Sequence, residues 1–283
     1  YGAVGQVVPV FANIRDDASV AAALSGADAV VNCVGILSES GKNGFDAVQA
    51  EGATRIARLA AAEGIDRMVH VSAIGADAGS DSDYARSKAK GESGVTQHMP
   101  DAVILRPSLI FGPEDNFFNR FAGMARLAPI LPVVGPNTKF QPVFVDDVAA
   151  AAALAVDGKA QAGVYELGGP DVDTFRELMQ TMLHVIRRRA LLLTVPFFVA
   201  RIMAWVLDMG QAITGGLLHN GTLTRDQVRN LANDNIVSGD YPGFDAFGIT
   251  PTSMEAILPG YLWRFRPSGQ YSDIKDSARN MKT

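Results

Sequence analysis

Tyr84 and Lys88 are four residues apart in a segment whose composition is typical of a helix. Residues at positions i and i+4 share one face of a helix, so the phenol and the ammonium are predicted to lie one turn apart. An ammonium at that distance lowers the pKa of a tyrosine, which favours proton transfer. Ser72 ends an apolar run twelve residues upstream of Tyr84. The three side chains can therefore meet in one crevice.

The elements that must position these side chains alternate between valine-rich runs and alanine-rich helical segments. This alternation is typical of repeated strand-helix units and predicts an α/β fold with a parallel sheet covered on both faces. Strands are predicted at residues 5–11, 27–34, 67–72 and 102–106, and helices at residues 18–24, 45–63, 82–98 and 117–127. Ser72 then ends a strand at the carboxyl edge of the sheet, where open parallel sheets bind ligands.

The second half of the chain predicts a smaller α-rich C-terminal domain. Residues 135–147 indicate a loop, a short strand and the start of a helix. Hydroxyl residues at Thr174, Thr224 and Thr252 begin three segments with the spacing of helix capping boxes, the third within residues 251–255. We divide the chain into residues 1–170 and 171–283, and we expect the polar tail 268–283 to be weakly ordered unless a partner holds it.

Composition excludes several classes of function. The chain has 25 Lys and Arg against 30 Asp and Glu, a formal net charge of −5, so nucleic acid is not an expected partner. One cysteine, Cys33, excludes an internal disulfide and is predicted to be a small core residue in a buried strand. The histidines are too scattered for a metal site, and they are expected to be structural or exposed: His70, His98, His184 and His219.

Four motifs resemble the short-chain dehydrogenase/reductase superfamily, in its extended and atypical branches. They are VHVSA at residues 69–73, YARSK at 84–88, LRPSLIFGP at 105–113 and QPVFVDDVA at 141–149. The resemblance covers nearly the whole chain. It implies a Rossmann-type doubly wound sheet, with residues 1–170 as the NAD(P)-binding domain and residues 171–283 as a docking domain.

The resemblance also implies roles for single residues. Tyr84 would be the general acid/base, Lys88 would hold the nicotinamide ribose and tune the tyrosine, and Ser72 would bind the substrate oxygen. Asn13 and Ile14 match the position that contacts adenine in relatives, and the backbone after Pro107 would face the carboxamide. The implied cofactor-binding set is Asn13, Ile14, Cys33, Val34, Gly35, Ser72, Tyr84, Lys88, Pro107, Ser108, Leu109 and Ile110.

Two features depart from the family pattern. The glycine-rich phosphate loop is not found, because residues 2–5 open a strand rather than a helix. We therefore expect the first two strands to be missing, with roughly forty further residues before Tyr1. Gln49 stands where extended relatives carry Asn. NADPH is the expected cofactor, with NADH as the alternative, because the residues that read the 2′-phosphate fall in the missing part.

Three stretches narrow the resemblance to the family of NAD(P)H-binding accessory subunits of respiratory complex I (NADH:ubiquinone oxidoreductase), in its alphaproteobacterial form. They are VNCVGI at residues 31–36, YARSKAKGE at 84–92 and IFGPEDNFFN at 110–119. This implies a structural NADPH without turnover and a role in assembly and stability. The implied partners are peripheral-arm subunits, at the cytoplasmic face of the bacterial inner membrane near the quinone site.

Two other functions stay open on the same residues. One is a catalytic NAD(P)H-dependent reductase or epimerase that acts on a sugar-nucleotide-like carbonyl compound, since Ser72, Tyr84 and Lys88 are all present. The other is a soluble protein that senses NADPH. Whether the chain is an enzyme is therefore left open.

Residues 187–209 join three arginines to a long apolar run. A membrane span is excluded because Pro196 interrupts the run and Arg201 stands near its centre. Two interpretations remain. The segment is either a core helix of the C-terminal domain, which we favour, or a surface helix that contacts lipid headgroups or a partner subunit.

Overall fold

The computed structural model describes residues 6–213 and 224–271, which form two compact units. Unit 1 consists of residues 6–106 and 152–165, and unit 2 of residues 107–151 and 166–271. The helices are α1 (Asp17–Leu24), α2 (Glu51–Ala62), α3 (Asp83–His98), α4 (Phe118–Leu127), α5 (Val145–Val156), α6 (Phe175–Val185), α7 (Phe197–Ile213), α8 (Arg225–Asn230) and α9 (Met254–Leu262). The strands are β1 (Ala29–Asn32), β2 (Arg67–Val71), β3 (Val103–Pro107), β4 (Ile110–Phe111), β5 (Ile130–Val134), β6 (Lys139–Phe140), β7 (Val143–Phe144), β8 (Gly163–Leu167), β9 (Asp173–Thr174) and β10 (Leu191–Val195).

A four-stranded sheet in the order β1-β2-β3-β8 forms the centre of unit 1. β1 pairs with β2 in parallel, and β2 pairs with β3 in parallel. Helices connect these strands, as a parallel pairing requires. The predicted Rossmann-like α/β fold with a helical C-terminal part is confirmed.

Helices α2 and α3 pack closely because glycines on α3 carry no side chain. A Cβ on Gly91 would collide with the carbonyl oxygen of Gln49, and a Cβ on Gly94 would collide with Thr54. Ser82 caps α3 by accepting a hydrogen bond from the backbone N–H of Ala85 over 3.2 Å. This packing fixes α3, the helix that carries Tyr84 and Lys88.

The predicted helix 45–63 is interrupted near its start. Asp46–Ala50 forms a π-helical turn, and α2 follows at Glu51. A π turn inserts one extra residue per turn and is frequent at functional sites. Sequence periodicity alone does not reveal it.

The strand predicted at residues 5–11 is wrong for its described part. Residues 7–13 have no regular structure, and the side chains of Val7, Val8, Val10 and Phe11 are exposed. No described strand pairs with this run, because β1 is the edge of the sheet. Gly5 lies outside the described residues.

Cys33 is exposed, so its predicted place in the core is wrong. The strand is shorter than the predicted residues 27–34, because β1 ends at Asn32. Cys33 follows that end at the edge of the described sheet, where no further strand covers it.

In unit 2 a core of aromatic, leucine and methionine side chains joins α4, α6 and α9. It includes Phe111, Phe118, Leu131, Leu178, Met182 and Leu258. The smaller sheets are β10 with β5, β4 with β7, and β6 with β9. The tail beyond residue 271 lies outside the described residues.

Two of the three predicted capping boxes are confirmed. Thr174 and Thr224 each form a reciprocal pair with the third residue of the helix, Glu177 and Gln227 respectively. The third, in residues 251–255, is wrong, because α9 begins at Met254 and its N-cap residue, Ser253, makes no side-chain capping bond. Asp147 instead accepts hydrogen bonds from the backbone and hydroxyl of the preceding residue, Thr252, over 2.6 and 3.1 Å.

Helix α7 lies on the surface of unit 2, so the core-helix interpretation of residues 190–209 is wrong. Within residues 197–210, the part of α7 whose burial is described, only Ala200 and Ala204 are fully buried, in a small cluster with Val134 and Val228. The exposed apolar side chains of α7 are Phe198, Ile202, Met203, Trp205, Val206, Leu207 and Met209. Among the described helices, none combines the length and apolarity needed to cross a bilayer.

Candidate functional site

Ser72 lies directly after β2, where the sequence placed it. Its backbone N–H donates to the carbonyl oxygen of Leu105 over 2.7 Å, which extends the pairing with β3 by one residue. The side chain is buried, and its Oγ has no hydrogen-bond partner within the described residues. An unpaired buried hydroxyl is unfavourable, so this atom is available to a ligand.

Tyr84 and Lys88 share one face of α3, as their spacing predicted. The Lys88 Nζ lies 5.9 Å from the centroid of the Tyr84 ring. The same Nζ donates a hydrogen bond of 3.3 Å to the carbonyl oxygen of Val71, the last residue of β2. Phe45 packs edge-on against the tyrosine ring at 5.8 Å between centroids. Tyr84, Lys88 and the end of β2 are thus brought together.

Lys88 is buried, with only 5% of its surface exposed. Burial lowers the pKa of Lys88 to about 8, and the nearby carboxylate of Glu92 and the thiol of Cys33 partly oppose this decrease. A lysine with this pKa is mostly charged at neutral pH and loses its proton in mild alkali. It can therefore donate strong hydrogen bonds to a ligand near neutral pH.

Gly35 faces both Lys88 and Gln49. A Cβ built on Gly35 would lie 3.3 Å from Lys88 Nζ and 3.5 Å from Gln49 Oε1. Gln49 is buried, and its Oε1 has no hydrogen-bond partner in the described part of the chain. A donor and an acceptor thus both lie close to Gly35.

Asn32 and His70 form a buried pair that the sequence did not mark as functional. Asn32 Nδ2 donates to His70 Nδ1 over 3.1 Å, and Asn32 Oδ1 accepts from the backbone N–H of Val34 over 3.1 Å. Burial, with a smaller effect of the Lys88 charge, lowers the pKa of His70 to about 3. His70 is therefore neutral, with its proton on Nε2, which has no partner among the described residues. In the sequence, this pair is visible only as two polar residues, Asn32 and His70, within the two apolar runs that form β1 and β2.

Asn13 and Ile14 lie just before α1. The Asn13 Oδ1 accepts a hydrogen bond from the backbone N–H of Arg15 over 3.1 Å. Ile14 packs against the core beneath α2, close to Gly52. Val34, with Cys33 and Gly35, continues the chain beyond β1 and is exposed.

The remaining predicted cofactor residues belong to unit 2. The Ser108 hydroxyl is held by Asn235, with its Oγ 2.8 Å from the carbonyl oxygen and 2.7 Å from Oδ1. The Leu109 carbonyl oxygen accepts a hydrogen bond from the backbone N–H of Val143. Ile110 in β4 pairs with Val143 in β7. Pro107 is buried at the end of β3. Any role of Ser108 in binding therefore falls to its backbone.

The motif at residues 110–119 has a structural explanation within unit 2. The Asp115 Oδ1 accepts from the backbone N–H groups of Phe117 and Asn119 over 3.0 and 3.1 Å. Its Oδ2 accepts from the phenol of Tyr261. Burial and the Asp115 carboxylate hold the pKa of Tyr261 far above its usual range. The spacing of this motif thus shapes the start of α4.

The residues of unit 1 fit a nucleotide better than a metal ion. No cluster of three or more metal-ligating side chains occurs in the described residues. The buried polar atoms of Ser72, Gln49 and Lys88 instead offer a donor and acceptors at the carboxyl edge of a parallel sheet. Polyhydroxylated ligands such as a nucleotide ribose match such a set.

Comparisons with known proteins agree with this assignment. Residues 2–115 match a family described as NAD(P)H-binding. The chain is 35% identical to the mitochondrial NADH dehydrogenase (ubiquinone) 1 alpha subcomplex subunit 9 of Arabidopsis thaliana, over 95% of this chain and 68% of that protein. It is 30% identical to the protein of the same name from Rattus norvegicus, over 100% of this chain and 74% of that protein.

A solved structure supports the fold. The Thermus thermophilus UDP-glucose 4-epimerase in complex with NAD matches with a TM-score of 0.65 and 18% identity. The match covers 90% of this chain and 84% of the epimerase. At this identity the likeness concerns the fold alone.

Proposed function

Because this chain belongs to the family of NADH dehydrogenase (ubiquinone) 1 alpha subcomplex subunit 9, we propose that it is an accessory subunit of respiratory complex I. Its role is to support the assembly and stability of the peripheral arm. The partners are the other subunits of that arm. The resemblance that the sequence motifs carry supports the same conclusion.

The nucleotide part of this proposal is carried by the donor Lys88 Nζ and the unpaired acceptor Gln49 Oε1, which both lie close to Gly35. Lys88 would hold the nicotinamide ribose, and Ser72 would offer its unpaired hydroxyl. A bound reduced nicotinamide can supply a hydride. We take the nucleotide to be NADPH, as the resemblance implies, and to be structural.

A structural nucleotide makes a clear prediction for Tyr84. Replacing Tyr84 by Phe removes the hydroxyl that, by the family resemblance, would protonate a substrate. Electron transfer from NADH to quinone through the assembled complex should be unchanged by this substitution. A loss of turnover in complexes that keep their full subunit and nucleotide content would contradict the proposal.

A reductase or epimerase is the second candidate, because Ser72, Lys88 and Tyr84 lie around one strand end. This candidate predicts NADPH oxidation by the purified protein with a carbonyl substrate. That activity would be abolished in the Tyr84→Phe variant. The accessory-subunit proposal predicts no such oxidation.

We also propose that residues 187–209 attach the subunit to the membrane surface. The exposed apolar side chains of α7 suit the outer hydrocarbon of a bilayer, and the exposed Arg187, Arg189 and Arg201 suit anionic headgroups. The chain would then be peripheral, at the cytoplasmic face of a bacterial inner membrane. Each arginine near an anionic surface contributes about 1 kcal/mol.

Vesicle binding tests the attachment. The full-length protein should bind vesicles that contain anionic lipid and bind neutral vesicles weakly. Replacing Ile202 and Trp205 by Ser should abolish binding to both, while replacing Arg187 and Arg189 by Gln should weaken only the binding to anionic vesicles. Equal binding of wild type and the Ile202, Trp205 variant would contradict a lipid contact of α7.

A further inference from the structure

The side-chain amide of Gln49 is oriented by its own hydrogen bond. Gln49 is 2% exposed, and its Nε2 lies 3.1 Å from Ser87 Oγ. The single hydroxyl proton of Ser87 is donated to the carbonyl oxygen of Tyr84 over 2.8 Å. Ser87 Oγ can therefore only accept from Gln49, which must present its nitrogen there. The amide oxygen of Gln49 then faces away from Ser87.

The oxygen so oriented is an acceptor without a donor. Gln49 Oε1 is buried and lacks a hydrogen-bond partner among the residues described. It lies 3.5 Å from the position of a Cβ on Gly35, and Lys88 Nζ lies 3.3 Å from that same position. Within the described part of the chain, Lys88 makes one hydrogen bond, to Val71. Its ammonium carries three protons, so it can donate to a further group.

The local backbone is built to place Gln49. The π-helical turn Asp46–Ala50 contains Gln49, and Gly91 on α3 allows the Gln49 carbonyl to approach that helix closely. Both features depart from ordinary helix packing. An unpaired buried acceptor is unfavourable, and a ligand that donates a hydrogen bond to it removes that cost.

We propose that Gln49 is a nucleotide-binding residue that recognises a ribose hydroxyl together with Lys88. A hydroxyl that packs against Gly35 within reach of both groups would accept a hydrogen bond from Lys88 Nζ and donate one to Gln49 Oε1. A carbonyl or phosphate oxygen could satisfy Lys88 but would leave Gln49 unpaired, which is unfavourable for a buried group. The proposal rests on the proposed function, because it takes the ligand to be NAD(P)H and the hydroxyl to be on the ribose next to nicotinamide.

Two ligands separate this contact from the rest of the nucleotide. ADP-ribose contains the second ribose, and ADP lacks it. The affinities of the nucleotide-free, full-length protein for both ligands are measured by calorimetry. In the Gln49→Met variant, affinity for ADP-ribose should fall about tenfold, as expected for one lost hydrogen bond in a buried site, while affinity for ADP is unchanged.

Two further variants sharpen the test. Ser87→Ala releases the amide of Gln49 and should weaken ADP-ribose binding less than Gln49→Met does. Gln97→Met, at an exposed glutamine of α3, is the matched control and should bind both ligands as wild type does. If Gln49→Met does not fold, Gly35→Ala provides the same comparison, because its methyl group fills the space between Lys88 and Gln49.

The outcomes are distinguishable. Unchanged ADP-ribose affinity in a folded Gln49→Met protein would overturn the role of Gln49 and leave the proposed function intact. An equal loss of ADP and ADP-ribose affinity would also overturn it, since Gln49 would then support only the fold. A wild-type protein that binds neither ADP-ribose nor NADPH would overturn the proposed function as well.

Discussion

The ammonium of Lys88 donates a hydrogen bond to the carbonyl oxygen of Val71, over 3.3 Å. This contact joins α3, the helix that carries Tyr84, to the last residue of β2, directly before Ser72. Lys88 is buried in the process, and burial lowers its pKa to about 8. The proposed nucleotide site is therefore organised around a lysine whose pKa is close to physiological pH.

The first prediction concerns the pH dependence of nucleotide binding. Above the pKa of about 8, Lys88 loses the proton that favours its hydrogen bond to a ribose hydroxyl. The Kd for NADPH should rise as the pH increases from 8 to 9, by up to about tenfold. In the Lys88→Met variant, binding should be weaker at every pH and should not change over this interval. A wild-type Kd that stays constant between pH 7 and 9 would exclude charged Lys88 from the site.

The second prediction concerns acid stability. His70 has a pKa of about 3 in the folded chain, against an ordinary value of 6.5. Between these values the unfolded chain takes up a proton that the folded chain does not, so the free energy of unfolding decreases as the pH falls below 6.5. At pH 5 this loss is about 2 kcal/mol.

The His70→Gln variant provides the check, because Gln does not titrate and can still accept from Asn32. The difference in urea midpoint between pH 7.5 and pH 5 should be smaller for His70→Gln than for wild type. The other titrating groups are the same in both proteins, so their effect on the urea midpoint cancels when the two pH differences are compared. Identical differences would mean that His70 can be protonated in the folded chain.

The third prediction tests the contact of α3 with the π-helical turn. The added methyl group of Gly91→Ala would collide with the carbonyl oxygen of Gln49. We expect a loss of about 1–3 kcal/mol in the free energy of unfolding, and weaker NADPH binding. Gly260→Ala in α9 is the matched control, because no atom lies near its Cβ position. It should be neutral or slightly stabilising, since Ala favours a helix. Equal stability of the two variants would argue against this close packing.

The fourth prediction uses Cys33, the single cysteine of the chain. Its thiol is exposed next to the proposed site, and partial burial raises its pKa. Alkylation at pH 8.5 should therefore be slow but measurable, and bound NADPH should reduce its rate. At a nucleotide concentration ten times the Kd, the rate should fall roughly tenfold. A rate that does not respond to saturating NADPH would place Cys33 outside the nucleotide contact.

The sequence predicted those parts of the fold that depend on local patterns. Strand β2, helix α3, and the meeting of Tyr84 and Lys88 on one face follow from periodicity and spacing. The exposed run at Val7–Phe11 was predicted as a strand because its composition favours one. Pairing with a neighbouring strand decides the outcome, and composition does not encode that neighbour.

Only part of the candidate site was predicted, because some of its residues meet through tertiary packing that local spacing does not reveal. Ser72, Tyr84 and Lys88 belong to a motif with fixed spacing, whereas Gln49, Asn32 and His70 reach the site by tertiary packing. The π-helical turn that places Gln49 gives no periodic signal over five residues. Likewise the hydrophobicity of α7 does not reveal whether the helix is buried, because core helices and exposed apolar helices have the same composition.

The most direct test of the account is to purify the full-length, tagged protein from mildly solubilised membranes of its host. The proteins that copurify are identified, and the bound nucleotide is extracted and quantified. We predict recovery of complex I subunits with close to one NADPH per copy of this chain. A protein recovered without complex I subunits, or with them but without a nicotinamide nucleotide, would contradict the central claim.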